Sequence, residues 1–157
     1  MRRLMVVSDS HNPPTYLERA AKRYREEACD GLIHLGDLVE DARRLEKLTG
    51  APVEMVAGNC DLFSRARRSA LLETEGSRIL LTHGDAYGVK YTYDDLSRAA
   101  AAQNAQIALF GHTHEAFCGY VGKVLLVNPG ALKQGRYAIL VLEDGYARPF
   151  LKSLIED

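Results

Sequence analysis

The chain has 157 residues, of which 46% are hydrophobic and 26% are charged, and its formal net charge is −1. This length suits a single domain with a buried core, and the composition is that of a soluble globular protein, not a disordered one. The near-neutral charge argues against a strongly basic nucleic-acid binder, although bound metal ions would still admit an anionic substrate. We therefore expect one domain over residues 1–157.

Cysteine usage and the N-terminal residues bear on where the protein resides. The chain has three cysteines, Cys29, Cys60 and Cys118, and no CxxC pair. An odd and small number of cysteines argues against a disulfide framework. The apolar run at residues 4–7 is too short for a signal peptide or a membrane span. These features predict a soluble, cytoplasmic protein without a membrane partner.

The first part of the chain alternates buried strands with amphipathic helices. Strands are expected at residues 4–7, 31–35 and 53–57, and helices at about 15–28 and from Leu38 to Leu48. This βαβαβ order implies a parallel sheet with right-handed crossovers.

The second part of the chain is predicted to be mainly β-structure. One helix is expected to begin at a Thr92 cap and to continue through an alanine-rich stretch to Gln103. Hairpin turns are predicted at 122–123 and 144–145. The expected strands are 69–75, 78–81, 107–110, 115–121, 123–127, 136–142 and 146–154. This order favours an α+β or α/β sandwich of two sheets with helices outside.

Five of the apolar strands end in a short polar signature. Ligands bind beyond the carboxyl ends of strands in sheets of this kind, so signatures that are distant in sequence can converge on one site. In chain order the signatures are Asp9-Ser10-His11, Gly36-Asp37, Gly58-Asn59-Cys60-Asp61, Thr82-His83-Gly84 and Gly111-His112-Thr113-His114.

The residue types in these signatures are those that bind divalent metals. Asp, Asn and His suit borderline-hard ions such as Mn, Fe, Zn or Co. Any one of these histidines alone would be interpreted as structural, but four of the five in the chain lie in the signatures. The fifth, His34, lies inside a strand and is interpreted as structural. The candidates exceed the needs of one catalytic metal and suit two metals that share a bridging carboxylate. They are Asp9, His11, Asp37, Asn59, His83, His112 and His114.

In the order and form of these signatures the chain resembles the calcineurin-like metallophosphoesterases. Its length and its Cys60 resemble the small single-domain prokaryotic phosphodiesterases of that superfamily. The resemblance implies an α/β fold, a four-layer α/β/β/α sandwich of two mixed sheets flanked by helices. It also implies two divalent metal ions, with Mn as the first expectation and Ni, Co, Fe or Zn as alternatives. Asp9, His11 and His114 would hold one ion, Asn59, His83 and His112 the other, and Asp37 would bridge them.

The resemblance further implies a phosphodiesterase that uses in-line attack by a metal-bridging hydroxide. The expected catalytic residues are Asp37, Asn59, Cys60 and His83, and the expected substrate is a small phosphate ester or a nucleotide. Many relatives carry His where this chain has Cys60, whose thiol either donates a proton or only packs beside the metals. A homodimer is implied by the resemblance alone.

Two alternative functions and one basic segment stay open at this point. The same fold serves as a non-catalytic subunit of a trafficking complex, so a metal-binding interaction module is the main alternative. A nuclease is the second alternative function, and the near-neutral net charge of the chain weighs against it. Arg65-Ala66-Arg67-Arg68 either steers a phosphate toward the site or is a solvated loop. Asn128-Pro129-Gly130 is expected to form a tight turn near the site and to supply no ligand.

Overall fold

The computed structural model describes residues 1–10, 14–62 and 64–155. Two five-stranded sheets pack face to face, with helices on both outer faces. The predicted four-layer α/β/β/α sandwich of two mixed sheets is therefore confirmed. Within the described ranges, every helix is too short or too polar to cross a membrane.

Three α-helices and ten strands make up the described part of the chain. The helices are α1 (Pro14–Glu26), α2 (Val39–Thr49) and α3 (Asp94–Ala102), and short 3-10 turns cover Asp85–Tyr87 and Leu132–Gln134. The strands are β1 (Arg2–Val7), β2 (Gly31–His34), β3 (Val53–Met55), β4 (Ser69–Thr74), β5 (Ser77–Thr82), β6 (Ile107–Leu109), β7 (Phe117–Val121), β8 (Val124–Asn128), β9 (Arg136–Glu143) and β10 (Tyr146–Ser153).

Each sheet contains three adjacent parallel strands together with antiparallel pairings. The first sheet has the order β10-β9-β1-β2-β3, in which β1, β2 and β3 are parallel, as the βαβαβ pattern predicts. The second has the order β4-β5-β6-β8-β7, in which β5, β6 and β8 are parallel. The hairpins β7–β8 and β9–β10 are antiparallel. Parallel neighbours bring their carboxyl ends, and hence the polar signatures, to one edge of each sheet.

Alternation along β1 explains why the first sheet is covered on both faces. Leu4 and Val6 face the core between the two sheets, whereas Met5 and Val7 pack with residues of α1 and α2. A strand that is buried on both faces is apolar throughout, which is why the sequence shows continuous apolar runs here.

Two predicted helix ends differ from the structure for local reasons. Tyr93 is the residue before α3 and no side chain caps that helix, so the predicted Thr92 cap is wrong. The Thr92 hydroxyl instead accepts the N–H of Asp94 at 3.3 Å. Helix α1 ends at Glu26 because Ala28 takes a left-handed φ of 52° and the Cys29 N–H bonds back to the Tyr24 carbonyl.

Candidate metal centre

The loops that follow β1, β2, β5 and β6 are joined by hydrogen bonds at one edge of the sandwich. In the first sheet the Asp9 N–H donates to the Gly36 carbonyl at 3.0 Å, and in the second the Gly111 N–H donates to the His83 carbonyl at 2.9 Å. The N–H of His112 crosses between the sheets and donates to Asp9 Oδ2 at 3.0 Å. Signatures from both sheets therefore meet, as their positions after the strands predict.

Asp9, Asp37 and His83 form the centre of this edge. One ligand atom from each lies within 4.8 Å of the others, and all three residues are buried. His83 Nε2 is 3.6 Å from Asp9 Oδ1 and 3.4 Å from Asp37 Oδ2. Two carboxylates and an imidazole at this spacing can bind a divalent cation.

Two buried atoms of this cluster lack a hydrogen-bond partner among the described residues, namely Asp9 Oδ1 and His83 Nε2. Buried polar atoms are rarely left unpaired in proteins. On the other side of its ring, His83 Nδ1 lies 2.8 Å from the Leu35 carbonyl oxygen, which can only accept. Nδ1 therefore carries a proton, which leaves Nε2 as the ring nitrogen that can bind a metal when the ring is neutral. This donor set fits a metal ion.

The pKa values of the cluster show how strongly its charges interact. Burial alone would raise the pKa of Asp37, but His83 and the Cys60 N–H lower it well below its usual range. Burial alone would lower the pKa of His83, but the carboxylates of Asp37 and Asp9 raise it. The cluster thus stabilises positive charge between its two carboxylates, whether that charge is a proton or a metal ion.

His112 and His114 lie at the rim of the cluster. His114 Nε2 is 3.3 Å from Asp9 Oδ1, and its side chain is 31% exposed. The ring of His112 lies 5.1 Å from that of His83 in an edge-to-face arrangement. Burial and the nearby charge of His83 lower the pKa of His112, so this imidazole is available in its neutral, metal-binding form.

Four of the candidate ligands have left-handed backbone conformations. Asp9, Asp37, His112 and His114 have left-handed φ values of 52°, 59°, 70° and 65°. Residues other than glycine rarely adopt this conformation, and such outliers persist where the surrounding structure holds them for a functional reason. The strain is a second indication that this edge of the sandwich is the functional site.

The glycines at 58 and 111 are required by close packing around the ligands. A Cβ at Gly58 would lie 2.9 Å from Cγ of His83, and one at Gly111 would lie 2.7 Å from Oδ2 of Asp9. Both distances are shorter than real Cβ contacts. Any larger residue at these positions would displace a candidate ligand.

Asn59 and Cys60 are placed less closely. Asn59 and Cys60 are exposed on the loop after β3, where the Cys60 N–H donates to Asp37 Oδ1 at 2.9 Å. Over the described ranges, no hydrogen bond joins the Asn59 side chain to the cluster. Partial burial and the carboxylate of Asp37 raise the pKa of the Cys60 thiol, which keeps it protonated at neutral pH. His11 lies outside the described residues.

Asp61 has a positioning role that the sequence does not reveal. Its Oδ1 accepts the N–H groups of Leu38 at 2.8 Å and Val39 at 2.9 Å, and its Oδ2 accepts the N–H of Gly58 at 2.8 Å. Leu38 precedes α2 with a φ of 70° and provides no cap of its own. Asp61 therefore caps α2 from a distant loop and ties the Asp37 loop to the Asn59 loop. Sequence spacing gives no signal for such a long-range cap.

Ser8, Ser10 and His34 fix the loops that carry Asp9 and Asp37. The Ser8 hydroxyl donates to Asp9 Oδ2 at 2.7 Å. Nδ1 of His34 accepts the Gly36 N–H at 3.1 Å, so Nε2 carries the proton and donates to the Ser10 hydroxyl at 3.0 Å. The fully buried His34 thus joins the two loops.

Asn128 performs a similar task in the second sheet. Its amide group donates to the Gly111 carbonyl at 3.1 Å and to the Thr113 hydroxyl at 3.0 Å, and its oxygen accepts the Gly130 N–H at 2.8 Å. The turn after β8 therefore supports the loop that presents His112.

Known proteins resemble this chain in sequence and in fold. Residues 2–144 match the model of the calcineurin-like phosphoesterase superfamily domain. The chain is 37% identical over 153 residues to the "Probable metallophosphoesterase YsnB" of Bacillus subtilis, covering 92% of this chain and 86% of the relative. It is 26% identical over 156 residues to the phosphodiesterase YfcE of Escherichia coli K12, covering 84% and 80%. The crystal structure of a predicted phosphoesterase from Streptococcus pneumoniae TIGR4 matches with a TM-score of 0.80 at 27% identity, covering 98% of this chain and 90% of the other.

Proposed function

The chain belongs to the calcineurin-like phosphoesterase superfamily, and from that premise we propose that it is a phosphodiesterase with two divalent ions at the candidate metal centre. The observation that carries the proposal is the buried cluster of Asp9, Asp37 and His83, in which Asp9 Oδ1 and His83 Nε2 have no hydrogen-bond partner in the described chain. The similarity to a phosphodiesterase of Escherichia coli supports a diester substrate.

The proposed ligand sets follow the two halves of the cluster. The 3.3 Å approach of His114 to Asp9 supports their sharing one ion, and the contact between the rings of His83 and His112 supports the other. Asp37 clusters with both Asp9 and His83, which supports its role as the proposed bridge. The full sets are Asp9, His11 and His114 for one ion, Asn59, His83 and His112 for the other, and Asp37 for both.

The proposed reaction converts a phosphodiester and water into a monoester and an alcohol. When bound, the divalent ions would offset the charge of the phosphate and lower the pKa of water, which supplies a nucleophile at neutral pH. The carboxylates of Asp9 and Asp37 would hold the ions, and the Leu35 carbonyl keeps His83 Nε2 free to bind. The exposed, protonated Cys60 thiol lies near the Asp37 carboxylate and can donate its proton to the departing alkoxide.

We further propose that residues 1–157 act as one domain, with a small phosphate ester or a nucleotide as the substrate. A cavity of 530 Å³ that Cys60 lines is of a size that suits a small molecule and supports this choice.

Activity of metal-stripped protein tests the proposal. Bis(p-nitrophenyl) phosphate and p-nitrophenyl phosphate are offered after Mn, Ni, Co, Zn or Mg is added back, with circular dichroism as a check of folding. We expect metal-restored turnover that prefers the diester. A folded protein without turnover in any of these metals would contradict the proposal and favour the non-catalytic interaction module.

A further inference from the structure

A cavity of 530 Å³ opens directly beside the candidate metal centre. Leu38 and Cys60 line it, and both adjoin Asp37: Leu38 follows it in the chain, and the Cys60 N–H donates to its carboxylate. A substrate whose phosphate lies at the metal centre would therefore extend one of its ester arms into this cavity. The volume is in the range of small-molecule sites.

Two arginines of this cavity are available to a ligand. Arg43 projects from α2 and Arg65 from the loop after β3, and both line the cavity. Neither makes an ion pair or a side-chain hydrogen bond with any residue that the structure describes. Guanidinium groups match phosphate and carboxylate oxygens in pairs, which favours an anionic ligand.

The neighbouring arginines of the same basic segment are already engaged. Arg67 pairs with Glu54 at 3.9 Å, and Arg68 donates to the backbone carbonyls of Gly58 and Asp61. Arg65 is thus the member of this segment that faces the cavity without a partner in the described chain. The structure thus distinguishes Arg65 from Arg67 and Arg68, although the sequence alone presents the three as equivalent charges.

The opposing negative charge of the cavity is small. Two carboxylates line it, those of Glu40 and Asp61. Both oxygens of Asp61 already accept backbone N–H groups, so Glu40 is the carboxylate left to oppose the two arginines. The balance at the cavity wall is therefore positive.

An apolar wall completes the cavity. Leu38, Val39 and Leu62 line it, and Leu62 is 73% exposed. Leu62 therefore offers an exposed apolar contact beside the charged part of the cavity. A ring or an alkyl group of the substrate fits this wall.

On the basis of the proposed function, we propose that this cavity selects phosphodiesters that carry a second anionic group on one arm. The apolar wall holds the ring of that arm, and Arg43 and Arg65 bind the second anion, a phosphate or a carboxylate.

Calorimetric binding of two nucleotides to the Mn-loaded protein tests this inference. Thymidine 3′,5′-bisphosphate and thymidine 5′-monophosphate differ by one phosphate, so their affinity ratio reports the second anion. We expect the bisphosphate to bind about tenfold more tightly, because two charge-assisted contacts are added. Arg43→Gln or Arg65→Gln should each reduce this advantage about threefold, and the double variant should abolish it. The matched control is Arg44→Gln, an exposed neighbour on α2 that does not line the cavity and should leave the ratio unchanged.

The outcomes separate this inference from the proposed function. Equal affinity for the two nucleotides, or an advantage that survives the double substitution, would overturn the inference even where turnover of bis(p-nitrophenyl) phosphate is intact. Absence of that turnover, together with an advantage that depends on Arg43 and Arg65, would overturn the catalytic proposal and support the cavity assignment.

Discussion

At the scale of single residues, the ring of His83 is held from both sides. The Leu35 carbonyl fixes the proton on Nδ1, and the carboxylates of Asp9 and Asp37 face Nε2. A ring oriented in this way loses little freedom when it binds a metal, so the geometry favours tight coordination. Its removal should therefore affect metal binding before it affects the fold.

His83→Ala should lose one metal ion per chain and reduce kcat/KM by more than about 100-fold, which exceeds the usual effect of a residue that only supports a ligand. Metal content by mass spectrometry and turnover of bis(p-nitrophenyl) phosphate measure the two effects, and circular dichroism checks the fold. Unchanged metal content with normal turnover would contradict the assignment of His83 as a ligand.

Cys60→His should keep both metals and raise activity toward p-nitrophenyl phosphate relative to the diester several-fold, because imidazolium is a stronger acid than the Cys60 thiol, whose pKa is raised. The matched control is Cys118→His, since Cys118 is also exposed but lies on β7. If the substrate range of the two variants is the same, Cys60 acts only in packing.

At the scale of secondary-structure elements, α2 depends on a cap that another loop supplies. Asp61 accepts three backbone N–H groups, two at the start of α2 and one from Gly58. The same contacts hold the loops of Asp37 and Asn59 together. Helix stability and site geometry are therefore coupled through one carboxylate.

Asp61→Ala should lower the free energy of unfolding by about 2–3 kcal/mol through loss of the cap and of the Gly58 contact. It should also weaken metal affinity by about 10- to 100-fold, as removal of a supporting residue does. Urea unfolding and metal titration measure these effects. The control Asp94→Ala removes an exposed carboxylate from the first turn of α3 and should cost less than about 1 kcal/mol. Equal effects of the two variants would contradict the positioning role.

Glu27, just beyond α1, joins three strands through a nearly buried carboxylate. It accepts hydrogen bonds from Arg3 at 3.0 Å, Tyr137 at 2.6 Å and Lys152 at 2.7 Å, and its side chain is 12% exposed. Burial alone would raise its pKa, but the contacts with Lys152 and Tyr137 lower it below the ordinary value of 4.5. A carboxyl with a lowered folded-state pKa stabilises the protein above its unfolded-state pKa, and this contribution is lost as the pH falls through the folded-state value.

Glu27→Gln should therefore lower the free energy of unfolding by about 2 kcal/mol at pH 7 and by less as the pH falls below about 4. Urea unfolding of both proteins between pH 7 and pH 3 measures the difference. The control is Glu26→Gln, because Glu26 forms only an exposed pair with Arg23 among the described residues. A difference that does not change with pH would contradict the role of the Glu27 charge.

At the scale of the whole molecule, the two sheets each supply half of the candidate site. Asp9 and Asp37 come from the first sheet, and His83 and His112 come from the second. Hydrogen bonds link these halves directly, from the His112 N–H to Asp9 Oδ2 and from His83 Nδ1 to the Leu35 carbonyl. Metal ions bound by both halves would therefore join the sheets. Asp37, the proposed bridge, matters most for this link because both ions would share it.

The sequence predicts those parts of the molecule that depend on local pattern. The apolar runs of β1 and β2 predict the parallel half because strands buried on both faces are apolar throughout. The signatures at their ends predict the meeting of Asp9 with Asp37. The Asp61 cap of α2 is not predictable, because it joins residues that are adjacent only in the folded chain.

The contacts around the site are likewise not predictable from the sequence, because they join residues that are distant in the chain. The pairing of His34 with Ser10 and the partners of Arg67 and Arg68 are long-range contacts. No spacing rule identifies them, so Arg65 cannot be distinguished from its neighbours by sequence alone. The cavity beside Cys60 likewise depends on how α2 packs against the loop after β3.

The most direct test of the metal centre is an anomalous difference map from crystals grown with Mn. We predict two peaks about 3.5–4 Å apart, one beside Asp9 and one beside His83, with Asp37 in contact with both. Both peaks should be absent in Asp37→Ala crystals grown in the same way. A single peak in the wild-type protein, or two peaks that persist without the Asp37 carboxylate, would contradict a dinuclear centre bridged by Asp37.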